Sequence, residues 1–339
     1  MESILFSIDG RRYLAESIIH KCQTKGNLSI SLGKHRVQSF SDGEYCVDFE
    51  SSVRGKRVYL LTSPNNSNEI IKLEFAIDSA KRAGAKEIIP ILPYFPYSRQ
   101  DKKDQVRGPI GAKVMALKLE VIGATSVITY DLHAGQIQGF FEIPVTHIEG
   151  KNVFDEYIRL VYNENTILCG PDAGSGKRVK GIKEQMSDRY GISLPIVMMD
   201  KTRKEANKVD EMVIIGDVKG KEVIILDDMV DTGGTLCKAV DVLLENGAIN
   251  VRAFISHGVL SGKAYENVAK SNLLELVISD SLDIKKKEDV TIEAKTAFDK
   301  IKVLSVSDQI AMSIYAIDRD YSYESLKKSQ KQYGRESGY

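Results

Sequence analysis

The chain has no net charge: 47 lysines and arginines stand against 47 aspartates and glutamates in 339 residues. No global positive field points to a nucleic-acid backbone or an anionic membrane as partner, which directs attention to a small molecule or another protein. It also lacks closely spaced cysteines. Cys22, Cys46, Cys169 and Cys237 lie far apart without any CxxC pair, which disfavours a zinc site and a disulfide framework and points to a reducing compartment. No apolar run approaches the roughly 18 residues of a membrane span. The amino-terminal stretch MESILFSIDGRRYLAE carries charges where a signal peptide would be apolar. A cytoplasmic protein without a membrane or nucleic-acid partner is expected. Low-complexity stretches are missing as well, and with 42% hydrophobic residues the chain is long enough for two domains.

What is present is a recurring unit, in which a helix-period segment runs into Gly-Ala and then into a β-branched apolar strand. It occurs at residues 80–92 (AKRAGAKEIIPIL), 119–132 (LEVIGATSVITYDL) and 243–255 (LLENGAINVRAFI). In the first, Ile70, Leu73, Ile77 and Ala80 form one helical face before Gly84, which can take the left-handed conformation that ends a helix. The short runs EIIPIL, SVITY, TILC, LPIVMM and VIIL read as strands buried on both faces. The fold class is therefore α/β, with two similar parallel-sheet domains and helices on both faces of each sheet. A boundary is expected near Glu149 and Gly150, before the helix-like NVFDEYIRLVY. That gives domains at 1–149 and 150–318, with a polar, less ordered tail at 319–339.

Nearly every apolar run is followed by charge, histidine or glycine: PYFPYSRQD, DLHAGQ, GPDAGSGKR, MDKTRK, DDMVDTGGT and SHGVLSG. Ligands of open parallel sheets bind outside the carboxyl ends of strands, so these segments are expected to line two ligand sites. The most informative is VIILDDMVDTGGTL at 223–236. Asp227 and Asp228 are expected at a strand's carboxyl end, with DTGGT turning the chain so that backbone amides point at one spot beside the next helix. That is a phosphate cradle. Gly233 and Gly234 permit close approach, Thr232 and Thr235 add hydroxyl donors, and the helix dipole favours a dianion. The carboxylates, with Asp231 beyond them, would repel phosphate, and suit sugar hydroxyls or magnesium instead. The plainer reading is a solvated acidic turn capping a helix, against which three acids in register with TGGT weigh heavily. GPDAGSGKR is not a P-loop, because Arg178 follows Lys177 where serine or threonine is required, and Pro171 takes the first glycine's place.

The segment resembles the sugar-phosphate loop shared by phosphoribosyltransferases and ribose-phosphate pyrophosphokinases, also called PRPP synthetases. Resemblance to the pyrophosphokinase family runs from FSDGE at residue 40 to SVSDQIA near residue 311. The segments that carry it are FSDGE, PYFPYSRQDKKD, DLHAGQIQGFFEIP, GPDAGSGKRV, DKTRKEANKVDEMVIIGDVKGKEVIILDDMVDTGGTL and SHGVLSGKA. The KRV ending and ANKVDEMV are more similar to the eukaryotic branch of the phosphate-regulated class than to its bacterial branch.

The resemblance implies transfer of the pyrophosphoryl group of Mg-ATP to the anomeric hydroxyl of ribose 5-phosphate, giving PRPP and AMP. It implies ATP contacts at Arg99, Gln100, Asp104 and His133, and an adenine-holding loop with Phe40, Asp42 and Glu44 that reaches a neighbouring subunit. A dimer-based homo-oligomer, hexameric in the family, follows. Magnesium positions match Asp131, His133 and Asp172, although histidine suits that ion poorly and His133 could touch phosphate or a bound water instead. Lys201 and Arg203 match a mobile cationic loop that closes over the transferring group; by composition alone KTRKEANK is a solvated loop. Asp227, Asp228, Asp231, Thr232, Gly233, Gly234 and Thr235 match the ribose 5-phosphate site. Ser52, Arg54 and Ser307, grouped with Gln138, match a regulatory anion site at which phosphate activates.

Departures from the family pattern fall at Glu142 and Thr146, which leave metal assignments there open, at Gly108 and Gly111, which replace larger residues, and at Ser175, which replaces a glycine. Two other readings stand beside the enzyme. One is a catalytically silent PRPP-synthetase-associated regulatory subunit, against which the intact loops argue. The other is a phosphoribosyltransferase, which would need neither the RQD and DLHAG segments nor two similar domains.

Overall fold

The computed structural model describes residues 1–202 and 211–326 of the chain. Their contacts separate two units, Met1–Glu149 with Val306 and the residues after it, and Gly150–Ser305. The second unit is thus an insertion within the first.

The first unit contains β1 (Ser3–Ser7), α1 (Arg12–Gly26), β2 (Ile30–Leu32), β3 (His35–Ser39), β4 (Tyr45–Phe49), β5 (Arg57–Leu61), α2 (Ser67–Arg82), β6 (Glu87–Leu92), α3 (Gly111–Ile122), β7 (Val127–Tyr130) and β8 (Val145–Ile148). Its described sheet has the order β2-β1-β5-β6-β7-β8 with every pair parallel. β3 and β4 form a separate antiparallel hairpin that packs on α2, where the Ser79 hydroxyl donates to the Val47 carbonyl at 2.8 Å. β1 and β5 are buried at every position, as helices on both faces require.

The second unit contains α4 (Lys151–Val161), β9 (Thr166–Gly170), α5 (Gly176–Tyr190), β10 (Ile196–Thr202), β11 (Glu211–Ile215), β12 (Glu222–Val230), α6 (Gly234–Glu245), β13 (Asn250–Gly258), α7 (Ala264–Lys270), β14 (Glu275–Ser279), α8 (Ala297–Lys300) and β15 (Ile301–Leu304). The strand order is β11-β10-β9-β12-β13-β14-β15, parallel except for β10 with β11. Alternate residues feed opposite cores. Ile167, Cys169, Val223 and Ile225 enter one buried cluster, while Leu168, Ile224 and Leu226 enter the other. The four cysteines are unbridged, and burial pushes the Cys169 thiol up to about 12.

The repeated Gly-Ala has a physical cause. Gly84, Gly123 and Gly247 all adopt positive φ, at +83°, +134° and +91°. Each following alanine donates its N–H five residues back: Ala85 to Ala80 at 3.0 Å, Ala124 to Leu119 at 2.9 Å and Ala248 to Leu243 at 3.1 Å. These bonds close the helices by the left-handed glycine motif and aim the chain into the next strand.

The expected assignment of residues 306–318 to the second domain differs from what the contacts give. α9 (Ser307–Asp318) packs on α1, and the Asp318 side chain is largely withdrawn from solvent against β1 and β5. Its carboxylate accepts from the Ser3 hydroxyl at 2.9 Å, Arg57 Nη1 at 2.8 Å and the Tyr59 hydroxyl at 2.7 Å. The start of the polar tail is also ordered: Tyr321 donates its N–H to the Ala316 carbonyl at 2.8 Å, and Tyr323 is buried. Residues 327–339 lie outside the described residues.

Candidate functional site

In the second unit the crossover from β9 through α5 to β10 runs one way along the sheet, and that from β12 through α6 to β13 runs the other. The crevice between β9 and β12 is therefore the switch point, where open parallel sheets bind ligands. Asp172 follows β9; Asp227 and Asp228 lie on β12. The strand extends further than the run VIIL suggests, because it stays paired with β13 through Val230, so both aspartates sit within it rather than after it.

Asp228 is buried, and its N–H donates to Asp227 Oδ1 at 2.9 Å. Burial, and then the Asp228 carboxylate, push the partly buried Asp227 carboxyl up to about 7, with Asp172 adding in the same direction. Such a crowd of acids wants a proton, a cation or hydroxyl donors. Asp172 caps a short 3-10 turn by accepting from the Ser175 N–H at 3.0 Å, while the Ser175 hydroxyl donates to the Asp172 carbonyl at 2.6 Å. Serine at 175 is accommodated because a Cβ on Gly170 would stand 2.6 Å from its Oγ, and glycine leaves that space open.

Beyond β12 the loop Asp231–Thr232 is braced from the β13 side. Ser261 donates its N–H to the Asp231 carbonyl at 3.0 Å and its hydroxyl to the Asp231 carboxylate, and Asn267 Nδ2 donates to the Thr232 carbonyl at 2.8 Å. Gly233, at φ +77°, is the residue before α6, and no side chain caps that helix. Its leading N–H groups stay directed outward past exposed Thr232, Gly234 and Thr235. Ser261 and Asn267 were not among the expected site residues, and nothing local in SHGVLSG or in α7 marks them as braces. Lys201 belongs to β10, with its backbone opposite Met212 of β11, and Arg203 lies outside the described residues.

In the first unit Arg99, Gln100 and Asp104 occupy the loop after β6, all exposed, with Asp104 3.8 Å from Lys102. Asp131 and His133 follow β7, Asp131 buried at φ +42° and His133 exposed. Gln136 Nε2 donates to Asp101 Oδ2 at 2.9 Å and so ties the two loops together. Phe40, Asp42 and Glu44 form the exposed tip of the β3–β4 hairpin, where Asp42 Oδ1 accepts from the Glu44 N–H at 3.0 Å. Ser52 and Arg54 are exposed between β4 and β5, Gln138 lies in a turn with its amide 3.3 Å from His147 Nδ1, and Ser307 is buried with its Oγ 3.1 Å from Ser17 Oγ. This unit's own switch point, between β1 and β5, is filled by an ion pair that the sequence did not reveal. Arg11 Nε donates to Asp9 Oδ2 at 2.8 Å and Arg11 Nη2 to Ser63 Oγ at 2.6 Å, with Arg11 buried. Among the described residues no group of three His, Cys, Asp or Glu side chains converges as a metal cage.

Residues 3–123 match the model of the N-terminal domain of ribose phosphate pyrophosphokinase, and residues 183–328 match the phosphoribosyl synthetase-associated domain. The chain is 42% identical over 324 residues to the ribose-phosphate pyrophosphokinase of Porphyromonas gingivalis, covering 95% of this chain and 96% of the relative. It is 43% identical over 307 residues to that of Campylobacter jejuni, covering 90% and 94%. The crystal structure of phosphoribosylpyrophosphate synthetase from Mycobacterium smegmatis superposes with a TM-score of 0.82 at 32% identity, covering 94% of this chain and 100% of that one. By likeness along nearly its whole length, the chain belongs to the ribose-phosphate pyrophosphokinase family.

Proposed function

We propose that the chain transfers the β,γ-pyrophosphoryl group of ATP to the anomeric hydroxyl of ribose 5-phosphate, producing PRPP and AMP. The observation that carries this reading is the second unit's switch point, where an uncapped helix start with a left-handed glycine follows a strand bearing two aspartates. The first feature suits a phosphate and the second suits sugar hydroxyls; a sugar phosphate uses both at once.

The anomeric oxygen attacks the β-phosphorus, a new O–P bond forms, and the bond to the α,β-bridging oxygen breaks to release AMP. The hydroxyl proton passes to water. Backbone amides of Thr232–Thr235 hold the 5-phosphate, Asp227 and Asp228 orient the ribose hydroxyls, and Asp231 with Ser261 fixes the loop. Arg99, Gln100, Asp104 and His133 contact ATP, Arg99 through its planar fork. Lys201 and Arg203 bring positive charge to oxygens on which negative charge accumulates during transfer, and exclude water. Asp131, beside His133 in the first unit, and Asp172, in the second, each supply hard oxygen donors of the kind magnesium takes alongside phosphates and its own waters, so each position would hold such an ion. When bound, it would neutralise phosphate charge.

Phe40, Asp42 and Glu44, at an exposed hairpin tip, serve the adenine of a neighbouring copy in a homo-oligomer built from dimers, hexameric by resemblance. The phosphate-regulated class, in the pattern of its eukaryotic branch, is supported by the KRV and ANKVDEMV segments, with Ser52, Arg54, Gln138 and Ser307 as the anion site. The cytoplasm is the proposed compartment; no described helix is long and apolar enough to cross a membrane.

The test is formation of AMP and PRPP from ATP, ribose 5-phosphate and magnesium, with and without phosphate, beside a Lys201→Ala, Arg203→Ala variant. Equimolar products that collapse in the variant are expected. A folded protein that makes neither product at any phosphate level overturns the reading and leaves the silent regulatory subunit.

A further inference from the structure

Three successive carbonyls at the end of β12 are taken up from the same side of the chain. Val230 accepts from the Leu260 N–H at 3.1 Å, Asp231 from the Ser261 N–H at 3.0 Å and Thr232 from Asn267 Nδ2 at 2.8 Å. All three donors belong to the segment that ends β13 and enters α7. Successive carbonyls of an extended strand point to alternate flanks, so this run departs from the ladder.

The consequence lies on the opposite side of the same peptides. In a planar trans peptide the N–H points away from the carbonyl of the preceding residue. Fixing the Asp231 and Thr232 carbonyls therefore sends the Thr232 and Gly233 N–H groups together in the other direction. Neither has a partner among the described residues, and successive amides aimed the same way are what an anion requires. The bracing segment is itself strained. Leu260 is buried at φ +48°, a costly conformation for a bulky residue that persists only where its surroundings enforce it. That kink lets two consecutive N–H groups, of Leu260 and Ser261, meet two consecutive carbonyls. The Ser261 hydroxyl also donates to the Asp231 carboxylate and ties down a charge that would otherwise repel a phosphate.

We propose that Ser261 and Asn267 are positioning residues for the 5-phosphate of ribose 5-phosphate, acting from outside the cradle by setting the direction of its amides. This rests on the reading of Thr232–Thr235 as the phosphate cradle. Without the Asn267 amide, the Thr232–Gly233 peptide is free to turn and to offer a carbonyl oxygen where an N–H stood. Without the Ser261 hydroxyl, the Asp231 carboxylate is released beside the phosphate.

The experiment compares Asn267→Leu, Ser261→Ala, Ser261→Thr and Gly233→Ala in steady-state PRPP synthesis, with thermal midpoints alongside to show that each variant is folded. Loss of one well-aimed hydrogen bond to the phosphate corresponds to roughly a three- to tenfold rise in KM for ribose 5-phosphate. Asn267→Leu and Ser261→Ala are each expected to show that rise with kcat and KM for ATP unchanged. Ser261→Thr, which keeps the hydroxyl, restores the wild-type value. If Gly233→Ala raises KM for ribose 5-phosphate and neither Asn267→Leu nor Ser261→Ala does, the positioning role is overturned while the cradle stands. If Gly233→Ala leaves that KM unchanged, the cradle itself fails and the inference with it. Equal rises in the KM of both substrates, or a Ser261→Thr variant as impaired as Ser261→Ala, also refute it.

Discussion

Asp227→Asn should stabilise the ligand-free protein at alkaline pH and far less at acid pH. Burial and then Asp228 hold the Asp227 carboxyl up to about 7. An unfolded aspartate titrates near 3.9, so the rise is about three units, equivalent to about 4 kcal/mol at 1.36 kcal/mol per unit. Asp227 is only partly buried, and halving for solvent screening gives about 2 kcal/mol. The sign follows from the raised value. Folding is favoured by the protonated carboxyl, a contribution fully present below about pH 4 and lost as pH climbs through about 7. Asparagine keeps an oxygen for the Asp228 N–H but never ionises. Thermal unfolding of the second unit at pH 4.5 and pH 8 is the assay. About 2 kcal/mol in a unit of this size corresponds to roughly 4–8 °C at pH 8, falling to roughly a quarter of that at pH 4.5, which is only just above the unfolded value. Magnesium should raise the wild-type midpoint at pH 8 more than the variant's. Equal effects of the substitution at both pH values, or a less stable variant at pH 8, refute the argument.

Gly233→Ala places a side chain at φ +77° and should cost about 1–2 kcal/mol of stability in the second unit, with a higher KM for ribose 5-phosphate; denaturation and steady-state kinetics check both. Asp318→Ala strips the shared acceptor from Ser3, Arg57 and Tyr59 and should cost about 3–5 kcal/mol in the first unit. A calorimetric loss below about 1 kcal/mol would show that water replaces the carboxylate. Arg11→Met alone, which leaves the Asp9 carboxylate without its cation, should destabilise more than the Asp9→Asn, Arg11→Met pair together, and a double-mutant cycle measures the difference.

Much of the site was legible in sequence because its chemistry is contiguous. The proposed phosphate cradle, its glycine and the paired aspartates all fall within residues 223–236, where strand, turn and helix start follow one another along the chain. The braces were not legible. Ser261 and Asn267 reach Asp231 and Thr232 from residues 30 and 35 positions away, and only the pairing of β12 with β13 sets them opposite. The strands SILFS and RVYLL went unread beside the stronger Gly-Ala units, since a short apolar run shows no periodicity by which to recognise it.

The sequence by itself determined the α/β class, the helix stops at Gly84, Gly123 and Gly247, and the change of unit near Glu149, because each is set by neighbours within a few residues. Tertiary structure alone decided where the chain after Ser305 belongs. Asp318 meets Arg57 across 261 residues, a buried charge pairing whose geometry no local pattern encodes. It likewise decided that Arg11, paired with Asp9 after β1, reaches Ser63 after β5. The hydrogen bond from Arg11 to Ser63 spans 52 residues and forms only when β1 and β5 lie side by side.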